Sequence, residues 1–269
     1  ERRVIYPHKL PDSVASVADG LHVSMQERGF VDPTLIADLM GRTTEDVVAE
    51  MTSGSEPQAF QNPKTGRFEI AEVYLSGNLA EKISDAENAG AYGNIPHLKN
   101  AMPPHKTQDQ ITPSVRSLWI PPSVFEDFLR ALGYSTPKVS IMENVGMASI
   151  SASGGGSLSE FGQQFQTDRI TAAEIFEHAM KGKIPVIYDT SRNPDGSTSR
   201  VKNEAATREA VTMYERMGKE FPEWAYANPE RAGAITDAFN KKMNVVTERK
   251  YEGVRYLRMV GNSPEIDLR

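Results

Sequence analysis

Val115-Arg-Ser-Leu-Trp-Ile-Pro-Pro-Ser-Val-Phe-Glu-Asp-Phe-Leu-Arg-Ala-Leu-Gly133 is the stretch on which the reading of the fold turns. Trp119 and Ile120 run into two prolines, which fix an extended backbone and donate no ladder hydrogen bond. Ser123 is then placed to cap a helix whose apolar residues Val124, Phe125, Phe128, Leu129 and Leu132 recur at three- and four-residue spacing. Gly133 supplies the stop, where a left-handed residue is cheapest. An aromatic plug, a rigid elbow and an amphipathic helix predict scaffold rather than chemistry. Trp119, Phe125 and Phe128 are expected to be largely buried against the C-terminal helices, and Trp224 to be buried as a second plug.

Upstream the period is helical. Asp12-Ser13 can start a helix reaching Arg28, with Gly29 as its stop and Gly20 weakening its interior by about 1 kcal/mol. Asp32-Pro33 opens a second helix. Gly41 turns the chain, and a threonine cap starts a third helix that ends near Met51. Gln58-Ala-Phe-Gln, the turn Asn62-Pro-Lys-Thr-Gly66 and Arg67-Phe-Glu-Ile then read as a hairpin. Three helices followed by a hairpin is the layout of a winged helix-turn-helix. The functional reading of that layout is DNA contact by the third helix and the hairpin tip; the plainer one is a small packing or protein-contact module. The third helix carries Glu45, Asp46 and Glu50 and neither Lys nor Arg, so only Lys64 and Arg67 at the tip favour DNA.

Farther on, Ser76 or Asn78 can cap a helix through Ile83. Residues 90–113 show little periodicity and read as a linker. After Pro137 the period changes to two. Strands are predicted at Lys138–Met142 and Gly146–Ala152, joined at Glu143-Asn-Val-Gly146, and at Ile184–Asp189 and Thr198–Lys202, which flank the turn Asn193-Pro-Asp-Gly196. The glycine run in Ser153-Gly-Gly-Gly-Ser157 lacks the GK[ST] ending of a phosphate cradle and reads as a flexible loop. Helices are expected at Thr171–Met180, from Asn203 to about Phe221, and from Asn228 to about Met243. The fold class is therefore α+β: a helical winged-helix-like module at 1–89, a linker at 90–113, and a mixed module with short strands and a C-terminal helical pair at 114–269.

Composition sets bounds on function. The chain of 269 residues has no cysteine, which excludes disulfide and thiolate chemistry. No apolar run is long enough to span a bilayer. The net charge of −6 sits almost wholly in the first hundred residues, which speaks against a broad nucleic-acid footprint there. A start at Glu1-Arg-Arg-Val-Ile-Tyr-Pro, with neither an initiator methionine nor a signal-peptide pattern, reads as part of a longer polypeptide.

Several phrases follow one another along the chain: Glu72-Val-Tyr-Leu-Ser-Gly-Asn-Leu-Ala-Glu-Lys-Ile83, Trp119-Ile-Pro-Pro122 with Phe125 and Phe128, and Asn203-Glu-Ala-Ala-Thr207. They continue as Phe221-Pro-Glu-Trp-Ala-Tyr-Ala-Asn-Pro-Glu-Arg231, Phe239-Asn240 and Tyr251-Glu-Gly253. Over roughly Gly29 to Gly253 the series resembles one region of very large phage and mobile-element proteins, the phage defence-against-restriction type among them. Those proteins join an adenine-specific DNA methylase to a Swi/Snf-like helicase, and the similar region lies between the two engines. In them the Tyr-x-Gly phrase precedes the helicase, so Asp267-Leu-Arg269 would fall about where its nucleotide-binding part starts. The resemblance implies bacteriophage or mobile-element origin and an anti-restriction role. It also implies the flanking methylase and helicase or other phage proteins as partners, in the cytoplasm of a bacterial host or packaged in a virion. It assigns no catalytic residue here. The N-terminal turns are more acidic than the family pattern, and Gln164-Phe-Gln-Thr-Asp-Arg169 matches it loosely.

No motif supplies chemistry. The Asn-Pro pairs continue as Lys64, Asp195 and Glu230, unlike the loop an amino-methylase needs, and no P-loop is present. His97 and His105 have no cysteine or paired carboxylate beside them, and His178 reads as a surface or half-buried side chain. The expectation is no catalytic residue, no cofactor and no metal. Two functions stay open: a non-catalytic DNA-engaging connector, or a structural or virion-assembly segment acting by protein contacts. Candidate double-stranded DNA contacts are Lys64 and Arg67, with Lys241, Lys242, Arg249, Lys250, Arg255 and Arg258 near the C-terminus. The plainer reading of that second group is a solvated face interleaved with Glu248 and Glu252.

Overall fold

A computed structural model describes residues 10–142, 145–152, 158–192 and 197–249. These form two compact units, residues 10–103 with 245–249, and residues 104–244. Glu143 and Asn144 of the joint expected at Glu143–Gly146, the turn expected at Asn193–Gly196, the glycine run 153–157, and the candidates Lys250, Arg255 and Arg258 lie outside the described residues.

The first three helices of the first unit each begin on a side chain that meets an otherwise unpaired N–H. Ser16 accepts from the Asp19 N–H and opens α1 (Val17–Arg28), one turn later than the Asp12-Ser13 start; Gly29 ends it at φ 73°. Asp32 accepts from the N–H groups of Thr34 and Leu35 and opens α2 (Pro33–Met40). Thr43 caps α3 (Thr44–Thr52). Gly20 repays its poor propensity by closeness, since a Cβ there would stand 2.5 Å from Cγ2 of Ile36. The hairpin β1 (Ala59–Gln61) and β2 (Phe68–Ile70) pairs Ala59 with Ile70, and Val31 bridges to Phe68 on the outer edge. Val17, Leu21, Ile36, Val47, Met51 and Ile70 fill the space between helices and hairpin.

The short helix α4 (Ala71–Tyr74) and strand β3 (Gly77–Asn78) lead into α5 (Leu79–Asn88), which Asn78 rather than Ser76 caps. Residues 90–113, read as a linker, contain helix α6 (Ile95–Ala101) and 3-10 turns at Tyr92–Asn94 and Gln108–Gln110. The helix escaped periodicity because it is two turns long and fully buries only Leu98. A last two-residue strand, Val246–Thr247, pairs antiparallel with β3. The Leu79 N–H donates to Val245 (2.9 Å) and the Thr247 hydroxyl to Ala101 (2.8 Å), so the first unit is completed by chain from beyond the second.

The second unit is built on α7 (Pro122–Leu132). Its N-cap is Pro121, not Ser123, and no side chain caps it. Pro122 at the first helical position removes one of the donors a cap would satisfy and presets φ for the helix. Gly133 follows at φ 110°. The period-two segments form separate hairpins rather than one sheet: β4 (Lys138–Met142) with β5 (Met147–Ser151), and β6 (Tyr188–Arg192) with β7 (Thr198–Lys202). β6 begins four residues after the expected start at Ile184, past Pro185, which has no N–H to give a ladder. Between them lie α8 (Glu160–Gln163) and α9 (Ala172–Met180), the latter opened by a Thr171–Glu174 capping box. Asn203 caps α10 (Glu204–Tyr226) and Asn228 caps α11 (Pro229–Lys242).

Phe125 stacks on Phe221 with ring centroids 5.7 Å apart. Phe128 meets Phe221 edge-on at 5.2 Å and Trp224 at 4.9 Å. Phe125 and Phe128 are fully buried, as expected from α7. The two tryptophans are half-buried and do not act as plugs. Trp119 packs at the margin, 5.2 Å from Phe239, and the Arg231 guanidinium lies over Trp224 at 3.8 Å. An indole has a large flat face, and a cation there keeps both groups partly wet. The fold is α+β with short strands, an N-terminal helical module and C-terminal helices, as the sequence predicts.

Candidate nucleic-acid interface

α1, α2, α3 and the β1–β2 hairpin make up a winged helix-turn-helix. The turn between α1 and α2 is fastened by Ser24, fully buried: its hydroxyl donates to the Phe30 carbonyl (2.9 Å) and accepts from the Asp32 N–H (2.7 Å). Gly41 at φ 64° turns the chain from α2 into Thr43 and α3. Helix α3 buries Val47 and Met51, which leaves Glu45, Asp46 and Glu50 exposed. Arg42 pairs with Glu50 at the edge of that face. The helix that would enter a groove in a winged-helix complex thus presents three carboxylates and one guanidinium already engaged.

The hairpin tip is built by Asn62, whose side chain accepts from the Lys64 N–H at 2.9 Å, and by Gly66 at φ 71°. The two candidate cations at the tip diverge. Lys64 turns to α5, where Nζ lies 2.6 Å from Glu81 and 3.9 Å from Asp85. The hydrogen bond to Glu81 raises the Lys64 ammonium above its usual range and holds the Glu81 carboxyl below its own. The Arg67 guanidinium instead lies over the Phe30 ring at 6.0 Å. Of the other candidates, Lys241 and Lys242 are exposed in the last turn of α11, in the second unit. There they also offset the negative end of the helix. Arg249 is exposed in the first unit.

Lys82 is the residue that sequence reading missed. Half-buried on α5, its Nζ donates to the carbonyls of Val73 (3.1 Å), Tyr74 (2.7 Å) and Ser76 (2.8 Å) and lies 5.2 Å from the Tyr74 ring. Burial draws its ammonium below the usual lysine range. One cation therefore gathers the open carbonyls that follow α4 and seats the hairpin's continuation on α5. Tyr74, also fully buried, stacks on Phe60 and accepts from Asn94 at 3.0 Å. The phrase Glu72–Ile83 is explained by this knot: an aromatic, a turn, an asparagine cap and a lysine clamp.

A groove of about 460 Å³ runs past α3, the hairpin and the stretch between α5 and α6, lined by Val48, Thr52, Gln61, Phe68 and Asn94 among others, and none of its lining residues is ionisable. His178 is half-buried and its Nδ1 lies 3.1 Å from the Lys183 carbonyl. Among the described residues no group of three or more His, Asp or Glu could hold a metal ion. No helix there is long and apolar enough to cross a membrane.

Residues 13–69, the segment from just before α1 to the end of the hairpin, match the family model described as "Probable helicase, winged helix domain". Residues 115–245 match a domain of unknown function (DUF8437). The winged-helix assignment and the helicase-associated character of the N-terminal region follow from the first match. The second match falls on the α7-centred unit, starting at residue 115 where the unit starts at 104, and ending one residue beyond it. No curated protein and no solved structure matches the chain.

Proposed function

We propose that the chain is a non-catalytic, DNA-engaging connector of a phage or mobile-element anti-restriction protein, lying between its adenine-specific methylase and its Swi/Snf-like helicase. The observation that carries the reading is the match of residues 13–69 to a winged-helix domain of a probable helicase, on a segment that folds as three helices and a hairpin. The connector binds double-stranded DNA through cations outside α3: Lys64 and Arg67 on the wing, and Lys241, Lys242, Arg249, Lys250, Arg255 and Arg258 toward the C-terminus. It acts in the cytoplasm of a bacterial host or is carried in a virion. The acidic face of α3 favours a second reading, a structural or virion-assembly segment that meets a basic protein partner there.

Titrating labelled duplex at several salt concentrations, with the parent and a Lys241→Ala/Lys242→Ala/Lys250→Ala variant, separates the two. Each phosphate contact removed lowers the logarithmic salt slope by about 0.9. Equal affinities and slopes would move these cations to the protein-contact reading. ATP turnover or adenine methylation by the chain above a contaminant control would end the non-catalytic one.

A further inference from the structure

The β6–β7 hairpin has two faces of opposite character, and the register separates them. Tyr188 lies opposite Lys202, Thr190 opposite Arg200, and Arg192 opposite Thr198. Alternation in a strand places these six side chains on one face. All six are exposed. That face holds three cations, one aromatic ring and two hydroxyls, and none of the described strand residues on it is acidic. The Arg200 guanidinium stands 4.9 Å from the centre of the Tyr188 ring, which links the cations to the aromatic.

The acid of the ribbon is turned the other way. Asp189 accepts from Asn203 Nδ2 at 2.8 Å and pairs with Arg169, and on the same side the Ser191 and Ser199 hydroxyls meet at 2.7 Å. Among the described residues the cationic face has one neighbouring carboxylate in contact, Glu204, 3.1 Å from Lys202 Nζ with both side chains exposed. An exposed pair of this kind is weak and screened by solvent, so a phosphate can take its place. In a chain of net charge −6, such a face is a local exception.

We infer that this face is a second nucleic-acid site and that its ligand is single-stranded DNA, with Arg192, Arg200 and Lys202 on phosphates and Tyr188 under a base. The cations alone would suit a duplex as well. The tyrosine decides between them: a duplex keeps its base faces stacked inside, whereas a single strand offers one to an exposed ring. A two-stranded ribbon is also a known shape for meeting nucleic acid. The inference rests on the DNA-engaging reading but uses no residue of the winged-helix unit.

The test uses the full chain and a labelled mixed-sequence single strand of about twenty nucleotides, with a duplex of equal length, each titrated at several salt concentrations. Arg192→Ala/Arg200→Ala/Lys202→Ala is expected to weaken single-strand binding and to reduce its salt slope by about two, at roughly 0.7 per phosphate. Tyr188→Ala is expected to weaken it about 5- to 150-fold, the range of one lost base–aromatic stack, with the salt slope unchanged; Tyr188→Phe keeps parental affinity. Arg192→Lys/Arg200→Lys keeps the slope. Lys64→Ala/Arg67→Ala serves as the wing comparison. If the parent binds DNA and the ribbon variants match it in affinity and slope, the ribbon site is wrong while the DNA-engaging reading stands. Loss on ribbon substitution with the wing variant unchanged supports the ribbon. A parent that binds neither probe ends both. A duplex bound as tightly as the single strand, with Tyr188→Ala silent, overturns the single-strand assignment. Thermal midpoints equal to the parent's show that the exposed substitutions leave the fold intact.

Discussion

In the second unit α7 meets α9 and α10 through rings, with Phe125, Phe128, Phe176 and Phe221 fully buried against one another. In the winged-helix unit the core between α1, α2, α3 and the hairpin buries aliphatic side chains and Met51, and no ring fully. Around that core stand polar fasteners, Ser24 behind the first turn and, beyond the hairpin, Lys82 beside the stacked Phe60–Tyr74 pair. An aromatic cluster concentrates its energy in a few side chains, each with a large apolar area. A core of caps and hooks spreads it over many local bonds, each worth about 1 kcal/mol net. The first arrangement should fail at single residues, the second gradually.

The sharpest break is Phe128→Ala. Phe128 touches Phe161, Phe165, Phe176, Phe221 and Trp224, and its truncation is expected to cost about 3–5 kcal/mol. Both tryptophans of the chain lie in this unit, so indole fluorescence in a denaturant titration reports it directly. An unchanged midpoint and slope would sink the scaffold reading of α7.

Glycines sharpen the comparison at the next level. A Cβ at Gly162 would stand 2.0 Å from the backbone oxygen of Leu132, an atom that cannot move without shifting α7. Gly162→Ala is expected to destabilise by about 3 kcal/mol, the upper end for overpacking. At Gly20 the obstacle is Cγ2 of Ile36, a side-chain atom, and alanine recovers about 1 kcal/mol of helix propensity there. Gly20→Ala should therefore cost clearly less, read by thermal unfolding monitored by circular dichroism. Equal losses would mean that the two units tolerate crowding alike.

Legibility in the sequence follows the same division. The α7 stretch could be read because phenylalanines at helical spacing have few other uses, and the caps at Asp32, Thr43, Asn78, Asn203 and Asn228 stand beside the helices they open. The winged-helix layout was legible for the same local reason. The lysine clamp was not, because Lys82 looks like any surface lysine until the turn after α4 aims three carbonyls at it. Helix α6 was hidden by its shortness. Nor was the pairing of Lys64 with α5 written in the hairpin, since Glu81 lies 17 residues away. The ribbon face was partly visible: period two in Thr198-Ser-Arg-Val-Lys202 puts Arg200 and Lys202 together, but which face is acid-free needs the register with β6.

Lys82→Met tests the fasteners. Methionine keeps the stem and removes the ammonium; the Val73 carbonyl still accepts from the Ser76 hydroxyl (2.9 Å), and those of Tyr74 and Ser76 are left to water that can reach a half-buried site. The expected loss is about 1 kcal/mol, at the lower end for an unsatisfied group. Hydrogen exchange of residues following α4 should rise while the α7 core stays protected. If protection dropped in both units together, the polar fasteners of the first unit would not be local.

The smallest effect concerns the wing itself. Glu81 occupies Lys64 at the hairpin tip, so the carboxylate competes with any phosphate for that ammonium. Glu81→Gln should leave stability nearly unchanged, because the pair is exposed. If the wing touches duplex, removing the Glu81 charge should raise the salt slope of binding by up to about 0.9, one added phosphate contact, with Asp85 at 3.9 Å left as the weaker competitor. The pH dependence has a definite sign. The Glu81 carboxyl is held below its ordinary value by the hydrogen bond from Lys64, so the pair's contribution is present above the unfolded pKa of Glu81 and is lost as pH falls through the lower, folded one. Lys64 is raised, so its part is complete below the unfolded lysine pKa and disappears only as pH rises through the higher, folded value. Between those limits neither partner changes charge. The difference between parent and Glu81→Gln should accordingly stay flat from mildly alkaline to mildly acidic solution and close only below the ordinary glutamate range. A difference that already narrows near neutrality would assign the competition to a group other than Glu81; no difference at any pH would place Lys64 outside the DNA path.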